Sequence, residues 1–132
     1  MKNIIEALNF LGEDAVFHHI GLATNVIDER FASQKIYDPI QRVNVAFVDL
    51  YGTTIEFIEP ASPDSPVHKI LERGMSAYHI CFKVPNIEKA IENARKHGCA
   101  CFAQPVAAAA FGGKKIAWLR SKEFGIIELL ES

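Results

Sequence analysis

His18-His19-Ile20-Gly21-Leu22 and Tyr78-His79-Ile80-Cys81-Phe82 are two versions of one strand, sixty positions apart. A second pair of stretches repeats in the same order. Thr54-Ile55-Glu56-Phe57-Ile58-Glu59 is echoed by Ile126-Ile127-Glu128-Leu129-Leu130-Glu131. A third pair, Val43-Asn44-Val45-Ala46-Phe47 and Lys114-Lys115-Ile116-Ala117-Trp118, precedes each Glu strand. An internal repeat fixes the architecture before any single element does. Each half is therefore a strand, a connection and a terminal strand pair, and the chain is α+β.

The two connections differ. His19 and Glu56 are 37 positions apart, His79 and Glu128 are 49, and the difference is about one average helix. In the second half, Asn86 caps a helix whose Ile87, Ala90, Ile91 and Ala94 form one apolar stripe, and Gly98 ends it. The first connection, from Asn25 to Gln41, contains Pro39 and only a weak apolar pattern around Ile27 and Phe31. The first half is thus expected to have a shortened or missing helix. Ile4, Ile5, Leu8 and Leu11 recur at helical spacing behind Asn3. They predict an extra N-terminal helix within residues 1–15, the candidate cover for the sheet face left bare. One domain follows over residues 16–132: a first module (16–60), a linker (61–76) with a short helix after Ser65-Pro66, and a second module (77–132). Within the second module, Cys99–Ala103 predicts a strand, followed by an Ala-rich loop to Gly112-Gly113.

Composition excludes several classes. At 132 residues the chain supports one core. Net charge is −2 with no basic run, which argues against nucleic acid as a partner. The longest uncharged stretch, Cys99–Gly113, is mostly small residues and is no membrane span. No basic segment followed by an apolar core opens the chain, so no secretory signal is expected. Three cysteines at no zinc-site spacing point to a reducing, cytoplasmic setting.

Strand alternation sorts the side chains by face. His19 points with Gly21 and Ala23, His79 with Cys81 and Lys83, Glu56 with Thr54 and Ile58, and Glu128 with Ile126 and Leu130. A single strand histidine is more often hydrogen-bonded than metal-bound. The repetition of a His and a Glu at equivalent points of both modules changes that reading. If these faces meet, two imidazoles and two carboxylates converge on one divalent ion: Co, Ni, Zn, Mn or Fe.

These stretches, together with Ser62-Pro63-Asp64-Ser65-Pro66-Val67 and Gly112-Gly113-Lys114-Lys115-Ile116-Ala117, resemble the vicinal oxygen chelate superfamily. Its members include glyoxalase I, methylmalonyl-CoA epimerase, extradiol dioxygenases and bleomycin-binding proteins. The resemblance covers Val16 to Ser132 and is closest to the epimerases and the lactoylglutathione-lyase-like proteins. It implies two βαβββ-type modules forming a cup-shaped mixed sheet. His19, Glu56, His79 and Glu128 are then the metal ligands, with His18 a neighbour. The implied chemistry is proton abstraction next to a thioester or keto carbonyl, with the enediolate-like charge held on the metal. It also implies a small-molecule substrate of the acyl-CoA kind and a homodimer.

Three departures bear on that chemistry. The first-module helix is reduced, Asn44 stands near the place of one proposed family base, and Arg120-Ser121-Lys122 replaces a usual His-Pro-Lys. The base is then Glu128 or Lys83; Cys81 fits better as a buried structural thiol. Asn44 and Lys114 are the candidate substrate contacts. The loop over residues 107–113 either covers the cup or is a plain linker. Three functions follow in order: a metal-dependent isomerase or lyase, a non-catalytic binding protein of the same fold, and an iron-dependent ring-cleaving dioxygenase.

Overall fold

The computed structural model describes residue 3 and residues 9–132 of the chain. The first module runs β1 (Val16–Ala23), a 3-10 helix (Glu29–Gln34), β2 (Ile36–Asp38), β3 (Val43–Leu50) and β4 (Thr53–Pro60). Helix α1 (Val67–Glu72) lies in the linker. The second module runs β5 (Ala77–Val84), α2 (Ile87–Lys96), β6 (Ala100–Ala107), a 3-10 turn (Ala109–Phe111), β7 (Lys115–Ser121) and β8 (Gly125–Glu131). All eight strands form one sheet in the order β2-β3-β4-β1-β5-β8-β7-β6.

The repeat is visible in the pairing. β1 runs parallel to β4, β5 runs parallel to β8, and the modules join where β1 and β5 pair antiparallel. His19 pairs with Cys81 and Gly21 with His79 across that central ladder. The two histidines therefore come from adjacent strands, each flanked on its outer side by its own Glu strand. Curling of this sheet turns one face inward, and the four ligand candidates lie on it.

The first-module connection forms a six-residue 3-10 helix with no buried residue, whereas α2 buries Ile87, Ala90, Ile91 and Ala94 against the outer face of the second module. Asn86 Oδ1 accepts from the Lys89 N–H at 3.0 Å and fixes the start of α2. The expected N-terminal helix falls mostly outside the described residues. Its last positions correct one expectation: Phe10 and Leu11 pack with Val84, Ile87 and Leu119, on the second module rather than the first. The first-module outer face instead carries Phe31 stacked on Phe57, with centroids 5.5 Å apart. Two further differences have simple causes. β2 is only three residues long and gave no periodicity to read. β6 continues past Ala103 through Pro105 because it is the edge strand, where a residue without an N–H is tolerated. No described helix is long and apolar enough to cross a membrane.

The second Glu of each repeat has a matching structural task. The Ile27 N–H donates to Glu59 Oε1 at 2.9 Å, and the Ile87 N–H donates to Glu131 Oε2 at 3.1 Å. Both isoleucines are buried, at 2% and 0% exposure. Each carboxylate thus pins the chain as it leaves its first strand. Replacing Glu59 with Leu strands the Ile27 N–H, an expected loss of about 1–3 kcal/mol. Thermal unfolding should register a fall of several degrees; an unchanged midpoint would rule this anchoring out.

Candidate metal centre

The inward face brings His19, Glu56, His79 and Glu128 together, each no more than 4% exposed. The two Nε2 atoms face each other at 3.2 Å. His19 Nε2 lies 3.2 Å from Glu56 Oε1 and 3.1 Å from Glu128 Oε1, and His79 Nε2 lies 3.4 and 3.3 Å from the same atoms. Donors about 2.1 Å from a shared ion stand about 3.0–3.4 Å apart in tetrahedral or octahedral shells, and these separations match. A proton shared between two imidazoles leaves this set poorly satisfied. Glu128 Oε1 is buried and makes no aligned hydrogen bond. One divalent cation would satisfy all four atoms, so the residues present fit a metal.

Charge is shared within the cluster. Burial opposes protonation of His19, but the carboxylates of Glu128 and Glu56 outweigh it and raise its pKa to about 9. His79 moves in the same direction for the same reasons. Glu128 experiences the interaction from the other side: burial raises its pKa, but His19 and His79 win and hold it at about 2. Burial, reinforced by the carboxylates, pushes the Cys81 thiol far up. Cys81 lies within ligand reach of His18 and His19, and a thiol kept protonated is a poor nucleophile.

A cavity of about 270 Å³ opens from this centre. Val43, Val45 and Ile58 wall one side, Val67 and Ile70 of α1 another, and Ile116 and Trp118 the far side. Ala108, Ala110 and Phe111 also line it, so the Ala-rich loop forms part of its wall. Asp38 holds that loop in place. Its Oδ1 accepts from the Ile40 and Gln41 N–H groups at 3.0 Å, and its Oδ2 accepts from the Ala109 N–H at 3.3 Å. This contact ties the edge strand of the first module to the loop of the second.

The remaining sequence candidates lie elsewhere. Asn44 alternates with the cavity-lining Val43 and Val45 and sits opposite Glu59 in the β3–β4 ladder, so it faces outward. Lys83 shares the face of His79 but pairs with Val16 and Leu130, farther along the strand, and does not line the cavity. Lys114 is exposed and outside it as well. His18 is nearer than alternation allows. A register shift between Phe17 and His19 bulges β1, placing His18 Nδ1 2.8 Å from His19 Nδ1. Phe111 lies over His19, ring centroids 5.9 Å apart. Neither contact has a sequence signature; only Trp118 stood in a repeated strand.

The family model for the glyoxalase/bleomycin resistance protein/dioxygenase superfamily matches residues 18–118. Human mitochondrial methylmalonyl-CoA epimerase is 31% identical over 101 residues, covering 74% of this chain and 57% of that protein. The chain thus spans little more than half the length of that relative. Among solved structures, a hypothetical protein of Bacillus halodurans C-125 superposes with a TM-score of 0.72 at 27% identity, covering 91% of this chain and 96% of that one. A Streptomyces coelicolor methylmalonyl-CoA epimerase variant, in complex with 2-nitronate-propionyl-CoA, gives 0.70 at 21% identity over 89% and 94%. The latter likeness concerns the fold.

Proposed function

Because this chain belongs to the glyoxalase/bleomycin resistance protein/dioxygenase superfamily, we propose that it is a metal-dependent isomerase. It moves a proton at the carbon next to a thioester or keto carbonyl. The observation that carries this reading is the complete two-His, two-Glu donor set at the base of an apolar cavity. His19, Glu56, His79 and Glu128 would hold one divalent ion (Co, Ni, Zn, Mn or Fe), whose chemistry is Lewis-acid polarisation of the carbonyl.

The chain's own residues do the rest. Glu128 and Glu56 are the carboxylates of the donor set that line the cavity. Glu128, detached from the donor set, takes the proton from carbon; its return to the same face regenerates substrate, and inversion needs delivery from the opposite face, for which Glu56 is the other cavity-lining carboxylate. Phe111 and the loop that Asp38 tethers keep water from the carbon while it lacks its proton. The 31% identity to human mitochondrial methylmalonyl-CoA epimerase supports a thioester substrate. A cytoplasmic homodimer belongs to the same proposal.

One observation favours a non-catalytic binding protein. The first module has only a six-residue 3-10 helix where the second has α2, so the pocket lacks part of the wall that the resemblance implies for an enzyme. Solvent exchange separates the two readings. Cobalt-loaded protein in D2O, given 2-branched acyl thioesters and 2-oxo compounds, should place one deuterium next to the carbonyl. Glu128→Gln should slow this by about a hundredfold or more. Ligands that raise the melting point without any exchange would decide for binding alone. His79→Ala should also reduce bound metal from one per chain to background by elemental analysis.

A further inference from the structure

The cavity is one-sided in charge. Beyond the donor set its polar side chains are Asp38, Gln41, Tyr78 and Trp118, whose buried indole N–H has no partner, and no Lys or Arg among the described residues lines it. Asp38 is 3% exposed and meets only backbone N–H groups. Along the walls the chemistry turns hydrocarbon as the strands leave the metal centre. Glu56 is level with Phe47, the next inward pair is Ile58 with Val45, and Val43 lies opposite Pro60. Each of these steps is about 7 Å, and Val67 and Ile70 of α1 close the same end. At about 270 Å³ the space falls just below the usual range for ligand pockets. A nucleotide-sized carrier must stay outside, and only an acyl end enters.

We infer that the substrate carries an uncharged, apolar tail on the carbon skeleton beyond its metal-facing oxygens, so that a second carboxylate at the far end is excluded. This rests on the proposed reading that the oxygens face the metal. The physical reason is asymmetric. A buried anion at the Val45–Ile58 end would find no cation to pair with and would face the Asp38 carboxylate, whereas a hydrocarbon tail loses only its contact with water.

Four probes of equal chain length test the tail and the head separately: hexanohydroxamic acid, its adipic monohydroxamate counterpart, hexanamide and adipic monoamide. They are titrated into zinc-loaded protein, with Trp118, the chain's single tryptophan, as a fluorophore lining the cavity. The methyl-ended member of each pair should bind roughly tenfold tighter or more than its carboxylate partner. Equal binding within pairs, tighter binding of the carboxylates, or no binding by any probe at millimolar concentration overturns the inference. The head comparison addresses the metal. Hydroxamates should exceed amides in the wild type and lose that advantage in His79→Ala. If heads are equal while the tail preference persists, the metal reading fails and the tail inference stands.

Discussion

Replacing Gly21 with Ala is expected to empty the metal centre although Gly21 supplies no ligand. Gly21 pairs with His79 across the antiparallel β1–β5 ladder. A Cβ on it would stand 2.0 Å from Cε1, 2.3 Å from Nδ1 and 2.5 Å from Nε2 of the His79 ring. These distances lie far inside van der Waals contact, so the ring must leave or the strands must part. The ring cannot slide aside cheaply. Trp118 meets it edge-on at 4.9 Å and Tyr78 at 4.6 Å, and His79 is 4% exposed. Backbone strain plays no part, because Gly21 does not have the left-handed conformation found at the turn glycines. Overpacking of this kind costs about 1–3 kcal/mol, a loss that leaves a domain of ordinary stability folded. Displacing Nε2 by even an ångström removes it from a set whose atoms lie 3.1–3.4 Å apart. Elemental analysis of the folded variant should show background metal. Wild-type stoichiometry in Gly21→Ala would mean that the ring has room to move, and that the proposed packing of β1 on β5 is wrong.

Gly21 also marks how far the sequence could be followed. Period-two alternation and the internal repeat together pick out His19, Glu56, His79 and Glu128 and give them one face, because both signals are local and each is written twice. Alternation places Gly21 on that face too, but its purpose depends on the β1–β5 register, which only the paired strands show. His18 illustrates the opposite failure: a bulge breaks the alternation that would send it outward. Asp38 and Phe111 are legible only after the ends of the sheet curl together, since the Asp38–Ala109 contact spans 71 positions. Asn44 shows that a position borrowed from a resemblance needs the alternation check. Val43 and Val45 on either side occupy the cavity wall, so Asn44 faces away. The shortened connection was readable as a deficit in length, but where residues 10 and 11 would pack was not, because both modules offer an apolar outer face.

The charge shared within the donor set makes a prediction of opposite sign with and without metal. In the metal-free protein His19 is raised to about 9 from an ordinary 6.5. A raised histidine stabilises the fold fully below its unfolded value, and that contribution fades as pH climbs through its folded value. The depressed Glu128, about 2 against an ordinary 4.5, contributes fully above 4.5 and loses its effect as pH falls through 2. Both shifts describe the same imidazole–carboxylate contact, so they count once. Metal-free protein should be most stable between about pH 4.5 and 6.5, and should lose about 3 kcal/mol as pH rises from 6.5 past 9. A metal ion needs the His19 Nε2 lone pair that the proton occupies. Its binding must therefore release a proton over the same interval, and apparent affinity should rise about tenfold per pH unit for each proton released. Melting curves from pH 5 to 9.5 check both halves: the metal-free midpoint falls with pH while the increment from added zinc or cobalt grows. A metal-free midpoint that stays flat from pH 6.5 to 9.5 would show that the buried imidazoles carry no shared proton. Metal binding that is independent of pH over that range would place the ion elsewhere than on His19.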